Sequence, residues 1–146
     1  MHSGRELIGV GVDSVTWDRV VRFLSDHSPE FTDRLLTEAE QNFFRHTSHK
    51  LLFFARSMAA KEAFFKASGG FWMGGEAGFR EIEIAMDGNS AFHIPGPFEA
   101  AGEFFETPRG VGARVMVWGT RRHCEEPVRR RSNLKTEIAL PLRGSQ

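Results

Sequence analysis

Hydrophobic positions along the first part of the chain change their spacing near residue 13. Over residues 7–12, aliphatic and β-branched side chains alternate with glycines, which predicts a buried strand that ends near Asp13. Between Trp17 and Leu24, apolar residues recur at helical intervals and predict a helix over 14–26. The chain therefore begins with a strand that leads directly into a helix.

Two more helices follow in the first half of the sequence. Thr37 and Glu40 have the spacing of a capping box, which predicts that a short helix begins there. Residues 50–67 are rich in Ala, Leu, Met, Glu and Lys, which are good helix formers. Gly69 and Gly70 end this helix, which is the longest one that the sequence predicts.

The second half of the sequence favours strands. Alternating apolar residues predict strands over 79–86 and 91–94, joined by a short Asp-Gly-Asn turn into a hairpin. A further strand is predicted over 113–118, and residues 97–106 are a candidate for a short helix. Together these elements predict an α+β domain with a small, mainly antiparallel sheet packed on the long helix 50–67.

Composition narrows the classes of protein to consider. Of the 146 residues, 40% are hydrophobic and 26% are charged, values typical of a folded globular domain rather than a disordered chain. The lone Cys124 excludes an internal disulfide and a cysteine-based metal centre. No apolar run approaches the roughly 20 residues of a membrane span, and no signal-peptide pattern is visible. We therefore expect a cytoplasmic protein without a membrane partner.

Charge is balanced overall but not along the chain. The sequence carries 19 basic and 19 acidic residues, yet residues 1–100 hold 10 basic and 14 acidic groups, whereas 101–146 hold 9 and 5. We predict one domain over 1–120 and a basic extension over 121–146, in which 135–142 fits a final edge strand. The extension is suited to phosphates or to an acidic protein, although a solvated tail is the more common outcome.

Charged side chains also appear within two otherwise apolar segments. Asp13 ends the first predicted strand, and Glu62 and Lys66 are neighbours at i and i+4 on the long helix, bordered by Lys61. In one interpretation Glu62 and Lys66 form a surface ion pair worth roughly 0.2–0.5 kcal/mol. In the other, Asp13 and Glu62 hold Mg²⁺ on a diphosphate, while the lysines and Arg56 neutralise the remaining phosphate charge.

Three stretches resemble, in the same order, the signatures of holo-[acyl carrier protein] synthases, the small stand-alone 4′-phosphopantetheinyl transferases. They are residues 11–15 (Gly-Val-Asp-Ser-Val), 35–40 (Leu-Leu-Thr-Glu-Ala-Glu) and 60–67 (Ala-Lys-Glu-Ala-Phe-Phe-Lys-Ala). The resemblance implies a 4′-phosphopantetheinyl transferase-like fold and a homotrimer. It also implies Mg²⁺-dependent transfer of 4′-phosphopantetheine from coenzyme A to a serine of an apo acyl carrier protein.

The same resemblance implies a role for each matched position. Asp13 and Glu62 are expected to bind Mg²⁺, and Glu62, directly or through a metal-bound water, is the candidate that deprotonates the serine. Lys66 is expected to bind CoA phosphate and to act in catalysis with both carboxylates. Further residues expected to contact the cofactor are Arg56, Lys61, Gly69 and Gly70. The residues expected to dock the carrier protein are Arg19 and Arg22.

The match weakens toward the C-terminus. The family carries a Ser-His or Thr-His pair beside the cofactor, and the place expected for it, 118–120, holds no histidine; His123 follows shortly after. The arginine-rich segment 121–131 stands where a strand would close the domain. Two rivals stay open: a family member that binds CoA or carrier protein without efficient transfer, and a nucleic-acid-binding role for 121–135. The acidic first hundred residues, and the lack of aromatic residues in the basic segment, disfavour nucleic acid.

Overall fold

The computed structural model describes residues 4–26, 29–69, 78–96 and 98–119. Within these ranges, four helices precede most of the strands. The helices are α1 (Trp17–Asp26), α2 (Pro29–Leu35), α3 (Glu38–His46) and α4 (Lys50–Ala67), followed by a 3₁₀ turn at Phe79–Glu81. The strands are β1 (Glu6–Thr16), β2 (Ala85–Met86), β3 (Ala91–Ile94), β4 (Glu99–Thr107) and β5 (Gly110–Gly119).

The strands form one antiparallel sheet in the order β1-β5-β4-β3-β2. The first strand of the chain pairs with the last described one, so that Asp13 lies opposite Ala113. Helix α4 packs on β1 and β5, and its buried side chains form the core with those of the sheet. The predicted α+β class, and the sheet packed on the long helix, are therefore confirmed.

Two glycines allow α4 to lie directly on the backbone of β1. Gly9, Gly11 and Asp13 share the face of β1 that the alternation of the strand turns toward α4. A methyl group built on Gly11 would lie only 2.7 Å from the backbone nitrogen of Ala67 and closer still to the carbonyl oxygen of Ala63. This close approach brings the end of α4 next to Asp13.

The predicted helix boundaries at Thr37 and Gly69 are confirmed. The Thr37 hydroxyl accepts from the Glu40 backbone N–H at 3.2 Å, and the Thr37 N–H donates to a Glu40 carboxylate oxygen at 2.9 Å. Both halves of the capping box are therefore present. Gly69 follows α4 with φ 65°, a left-handed conformation that glycine adopts without strain.

The predicted strand over 79–86 is only partly correct. Residues 79–81 form a 3₁₀ turn, and the strand is limited to Ala85–Met86, which pairs with β3 as the predicted hairpin requires. Side chains of α3 and α4 bind two backbone groups of this stretch, since the Phe79 carbonyl accepts from Lys61 and the Ile84 N–H donates to Glu40. These side-chain hydrogen bonds take the place of the backbone hydrogen bonds that a regular strand would form here.

The predicted helix over 97–106 is wrong, because residues Glu99–Thr107 form β4 between β3 and β5. The stretch contains good helix formers, but hydrogen bonding to a strand on each side favours the extended conformation. Phe104 also packs on Phe92 of β3, with the two ring centroids 4.5 Å apart.

Two boundaries near the start of the chain also differ from the prediction. Helix α2 was not predicted. Helix α1 begins three residues later than expected, because β1 continues to Thr16, which lies opposite Gly110.

Several predictions lie outside the described residues. They concern Gly70, His123, the edge strand over 135–142 and the extension over 121–146. Within the described ranges, no helix is both long and apolar enough to cross a bilayer.

Candidate active site

Strand β1 and helix α4 bring three of the predicted site residues together. Asp13 lies near the end of β1, and Glu62 and Lys66 lie one turn apart on α4. The Lys66 ammonium donates to a carboxylate oxygen of Asp13 at 2.9 Å and reaches the Val12 carbonyl at 3.4 Å. The Asp13 side chain is 18% exposed and that of Lys66 55% exposed, so the cluster is open to a ligand on one side.

Glu62 and Asp13 form a hydrogen-bonded carboxyl pair. Burial raises the pKa of Glu62 to about 7, and the adjacent Asp13 carboxylate adds to this, while Arg19 and Lys66 oppose it. Burial would also raise the pKa of Asp13, but hydrogen bonds from the Glu62 carboxyl and the Lys66 ammonium leave that pKa below its ordinary value. Below about pH 7 the proton of the pair therefore resides on Glu62, and a bound cation would replace it.

The donor set of this pair fits Mg²⁺ bound together with a phosphate ligand. Among residues 4–26, 29–69, 78–96 and 98–119, no group of three or more His, Cys, Asp or Glu side chains could hold a metal alone. Mg²⁺ commonly takes only one or two protein carboxylates and completes its shell with substrate phosphate oxygens and water. Asp13 and Glu62 supply those two carboxylates, and the exposed Lys66 stands beside them as a further phosphate-binding charge.

Arg19 joins this cluster, although the sequence indicated only a docking role for it. Its guanidinium lies 3.5 Å from a Glu62 oxygen and 5.9 Å from the centroid of the Phe23 ring. The arginine is half exposed, so its attraction to Glu62 is screened and contributes little to stability. Arg22, one turn further along α1, is exposed. Arg19 therefore places one positive charge of α1 beside the carboxyl pair.

Lys61 does not face this site. Its side chain is fully buried, and the ammonium donates to the Leu35 carbonyl at 2.6 Å, the Glu40 carboxylate at 2.6 Å and the Phe79 carbonyl at 2.9 Å. Burial lowers the pKa of Lys61, and the attraction of Glu40 acts against that shift. Since all three N–H groups are used within the protein, the structure contradicts the predicted cofactor contact of Lys61.

Arg56 lines a cleft of about 400 Å³ between α4 and the end of the β4–β5 hairpin. Its guanidinium lies 5.0 Å from the centroid of the Phe104 ring, and within the described part of the chain its buried Nε has no hydrogen-bond partner. Glu106 and Thr107 also line this cleft. Neither residue was predicted at the site, because the sequence favours a helix that includes Glu106; only the strand pairing shows that they approach α4.

The strand end expected to carry the family's histidine pair is far from the carboxylates. Asp13 lies opposite Ala113, whereas Trp118 lies opposite Leu7, five residues further along β5. At about 3.3 Å per residue, this separates the two positions by roughly 17 Å. The lack of a histidine at 118 and 119 therefore does not weaken the carboxylate site.

Comparison with protein families gives one decisive match. A model described as the 4′-phosphopantetheinyl transferase superfamily matches residues 9–109, which is more than half of the chain. This chain belongs to the 4′-phosphopantetheinyl transferase superfamily. The matched residues include Asp13, Glu62 and Lys66, and they end before the basic extension. The family resemblance that the three motifs indicated is confirmed.

Individual members of the superfamily agree with this assignment. The holo-[acyl-carrier-protein] synthase of Listeria welshimeri is 34% identical over 116 residues, covering 75% of this chain and 96% of that protein. Among solved structures, the synthase of Neisseria meningitidis has a TM-score of 0.65 at 27% identity, covering 77% of this chain and 98% of that one. A Bacillus anthracis synthase in complex with CoA (3′,5′-ADP) has a TM-score of 0.62 at 26% identity, covering 78% of this chain and 98% of that one.

Proposed function

We propose that this chain transfers 4′-phosphopantetheine from coenzyme A to a serine of an apo acyl carrier protein, with Mg²⁺ held by Asp13 and Glu62. The observation that carries the proposal is the carboxyl pair with Lys66 beside it, inside the part of the chain that matches the transferase superfamily. Relatives named holo-[acyl-carrier-protein] synthase, one of them solved with CoA, support the choice of donor and acceptor.

The proposed reaction breaks a phosphoanhydride bond and forms a phosphate ester. The serine oxygen forms a bond to the β-phosphorus of CoA, and the bond to 3′,5′-adenosine bisphosphate breaks. Mg²⁺, when bound, would supply positive charge to the oxygens of the attacked diphosphate. In this proposal Glu62 accepts the serine proton as the general base. Lys66 stabilises charge that develops on the phosphate oxygens.

Other residues hold the two substrates in the proposed complex. Arg56 contacts the nucleotide end of CoA, supported by its cleft and its buried Nε without a partner in the described chain. Gly69, which follows α4, and Gly70, which lies outside the described residues, contact the cofactor in this proposal. Arg19 and Arg22 attract the carrier protein, since carrier proteins of this family are acidic, and α1 places Arg19 beside Glu62.

The outer face of the sheet supports the proposed homotrimer. Large apolar side chains on this face remain 44–57% exposed; they are Leu7, Val10, Val12 and Met116. An apolar surface of this kind is typical of a subunit contact. Light scattering should therefore give three times the mass of the chain, and a monomer at micromolar concentration would contradict the trimer. A cytoplasmic location stays a prediction.

One experiment separates the proposed enzyme from the rival binding module. The protein is incubated with Mg²⁺, CoA and each of several apo carrier proteins, and the carriers are weighed by intact-protein mass spectrometry. We expect the mass of at least one carrier to rise by one phosphopantetheine group, and the gain to disappear without CoA or with EDTA. No mass gain with any carrier, together with CoA binding by calorimetry, would favour the binding module and overturn the enzyme.

A further inference from the structure

Lys61 and Glu40 form a buried ion pair at the junction of several segments. The Lys61 side chain is 0% exposed and that of Glu40 5% exposed, and their charged atoms are 2.6 Å apart. Glu40 also accepts hydrogen bonds from the backbone N–H groups of Thr37 and Ile84. Through Leu35 and Phe79, Lys61 reaches the end of α2 and the 3₁₀ turn. The pair thus ties α4 to α2, to α3 and to the chain that leads into β2.

Hydrophobic burial alone does not set the rotation of α4 about its own axis. The helix buries apolar residues around most of its circumference, among them Phe54, Met58, Ala60 and Phe64. A helix buried on so many sides has no single apolar stripe to select its rotation, and the contacts of Ala63 and Ala67 with the glycines of β1 constrain one side only. A buried charge with fixed acceptors selects one rotation, because any other would leave that charge without partners.

We propose that Lys61 is a positioning residue for the transfer reaction, whose buried ammonium fixes the rotation of α4 and thereby holds Glu62 and Lys66 against Asp13. The inference rests on the proposed function for its kinetic consequence only. Lys61 directly precedes Glu62, so the two side chains point about 100° apart on the helix. Contacts on the buried side of α4 therefore determine where the carboxylate stands on the open side.

A small rotation would be enough to disturb the site. Side-chain ends lie about 5–6 Å from a helix axis, so a turn of about 20° moves a carboxylate by about 2 Å. Such a movement exceeds what the 2.9 Å bond between Lys66 and Asp13 tolerates. A displacement of about 1 Å in an active site reduces the rate by about 100-fold.

The test compares the same substitution at two lysines of α4. Lys61→Met removes the buried ammonium, and Lys50→Met is the matched control. Lys50 donates to the Phe44 and Arg45 carbonyls at 2.9 and 3.0 Å, but it is exposed and lies at the far end of α4. We expect Lys61→Met to lower kcat by about 10- to 100-fold and to raise KM for CoA, because Lys66 is displaced together with Glu62. Lys50→Met should keep the wild-type kcat.

The double variant Lys61→Met/Glu40→Gln separates positioning from stability. Lys61→Met alone leaves the Glu40 charge buried without its partner, which destabilises the fold, whereas the double variant removes both charges. We expect the double variant to recover thermal stability while kcat stays low. If kcat returned together with stability, Lys61 would be structural only and the proposal would be overturned.

Manganese binding gives a second readout that does not depend on turnover. Mn²⁺ affinity, measured by EPR in the presence of CoA, should fall in Lys61→Met and in the double variant, but not in Lys50→Met. Unchanged affinity in the double variant would contradict the positioning role. A wild-type protein that binds Mn²⁺ but transfers nothing would refute the proposed function without refuting the positioning role. The Mn²⁺ affinities of the wild type and the variants would still test the position of Glu62.

Discussion

Replacing Gly11 with alanine tests whether α4 must lie on the backbone of β1. The new methyl group would lie 2.7 Å from the Ala67 nitrogen, whereas heavy atoms in ordinary contact are about 3.5 Å apart. The end of α4 must therefore move by at least about 0.8 Å. If the movement were directed away from Asp13, the 2.9 Å bond from Lys66 would lengthen to about 3.7 Å, beyond hydrogen-bond distance.

We expect Gly11→Ala to reduce both stability and activity. Overpacking of this kind costs about 1–3 kcal/mol, which urea denaturation measures, and the displaced site should transfer about 10- to 100-fold more slowly. Gly78→Ala is the control, since a methyl group there meets nothing within 4 Å. A Gly11→Ala protein with wild-type stability and rate would refute the close packing of α4 on β1 as the source of the site's geometry.

Three further predictions concern single groups. Lys66→Met should raise KM for CoA and lower kcat, because a phosphate-binding charge is lost; unchanged steady-state constants would exclude this role. Thr37→Ala should cost about 1 kcal/mol in urea denaturation, and Thr37→Ser much less, because only serine keeps the cap; equal losses would argue against the capping box. Because the folded-state pKa of Glu62 is raised from 4.5 to about 7, its contribution to stability is present below pH 4.5 and lost by about pH 7. In EDTA, the wild type should therefore lose stability relative to Glu62→Gln across this range, and parallel pH profiles would contradict the carboxyl pair.

Local signals in the sequence predicted much of the fold. The capping box at Thr37, the glycine after α4 and the turn between β2 and β3 depend on neighbouring residues, and the structure contains all three. Strand β4 was predicted as a helix from the propensities of its own residues. Those propensities do not reflect the interstrand hydrogen bonds that β3 and β5 form with it. The same pairing hid the approach of Glu106 to the cleft beside Arg56.

The candidate site was predictable in its residues but not in its arrangement. The motifs singled out Asp13, Glu62 and Lys66, whereas their meeting depends on α4 lying on the glycines of β1. The role of Lys61 could not be read from spacing, since neighbouring residues on a helix point about 100° apart and either can face the core. Its three buried acceptors come from distant positions in the chain.

The measurement that tests the central claim most directly is the transfer rate of Glu62→Gln beside that of Glu103→Gln. Both variants exchange a carboxylate for an amide, but Glu103 lies exposed on the sheet and pairs with Arg114 at 2.6 Å. With Mg²⁺, CoA and an apo carrier protein, we expect Glu62→Gln to lose transfer by at least about 100-fold and Glu103→Gln to retain the wild-type rate. Full activity in Glu62→Gln would contradict the assignment of Asp13 and Glu62 as the metal-binding pair of the enzyme.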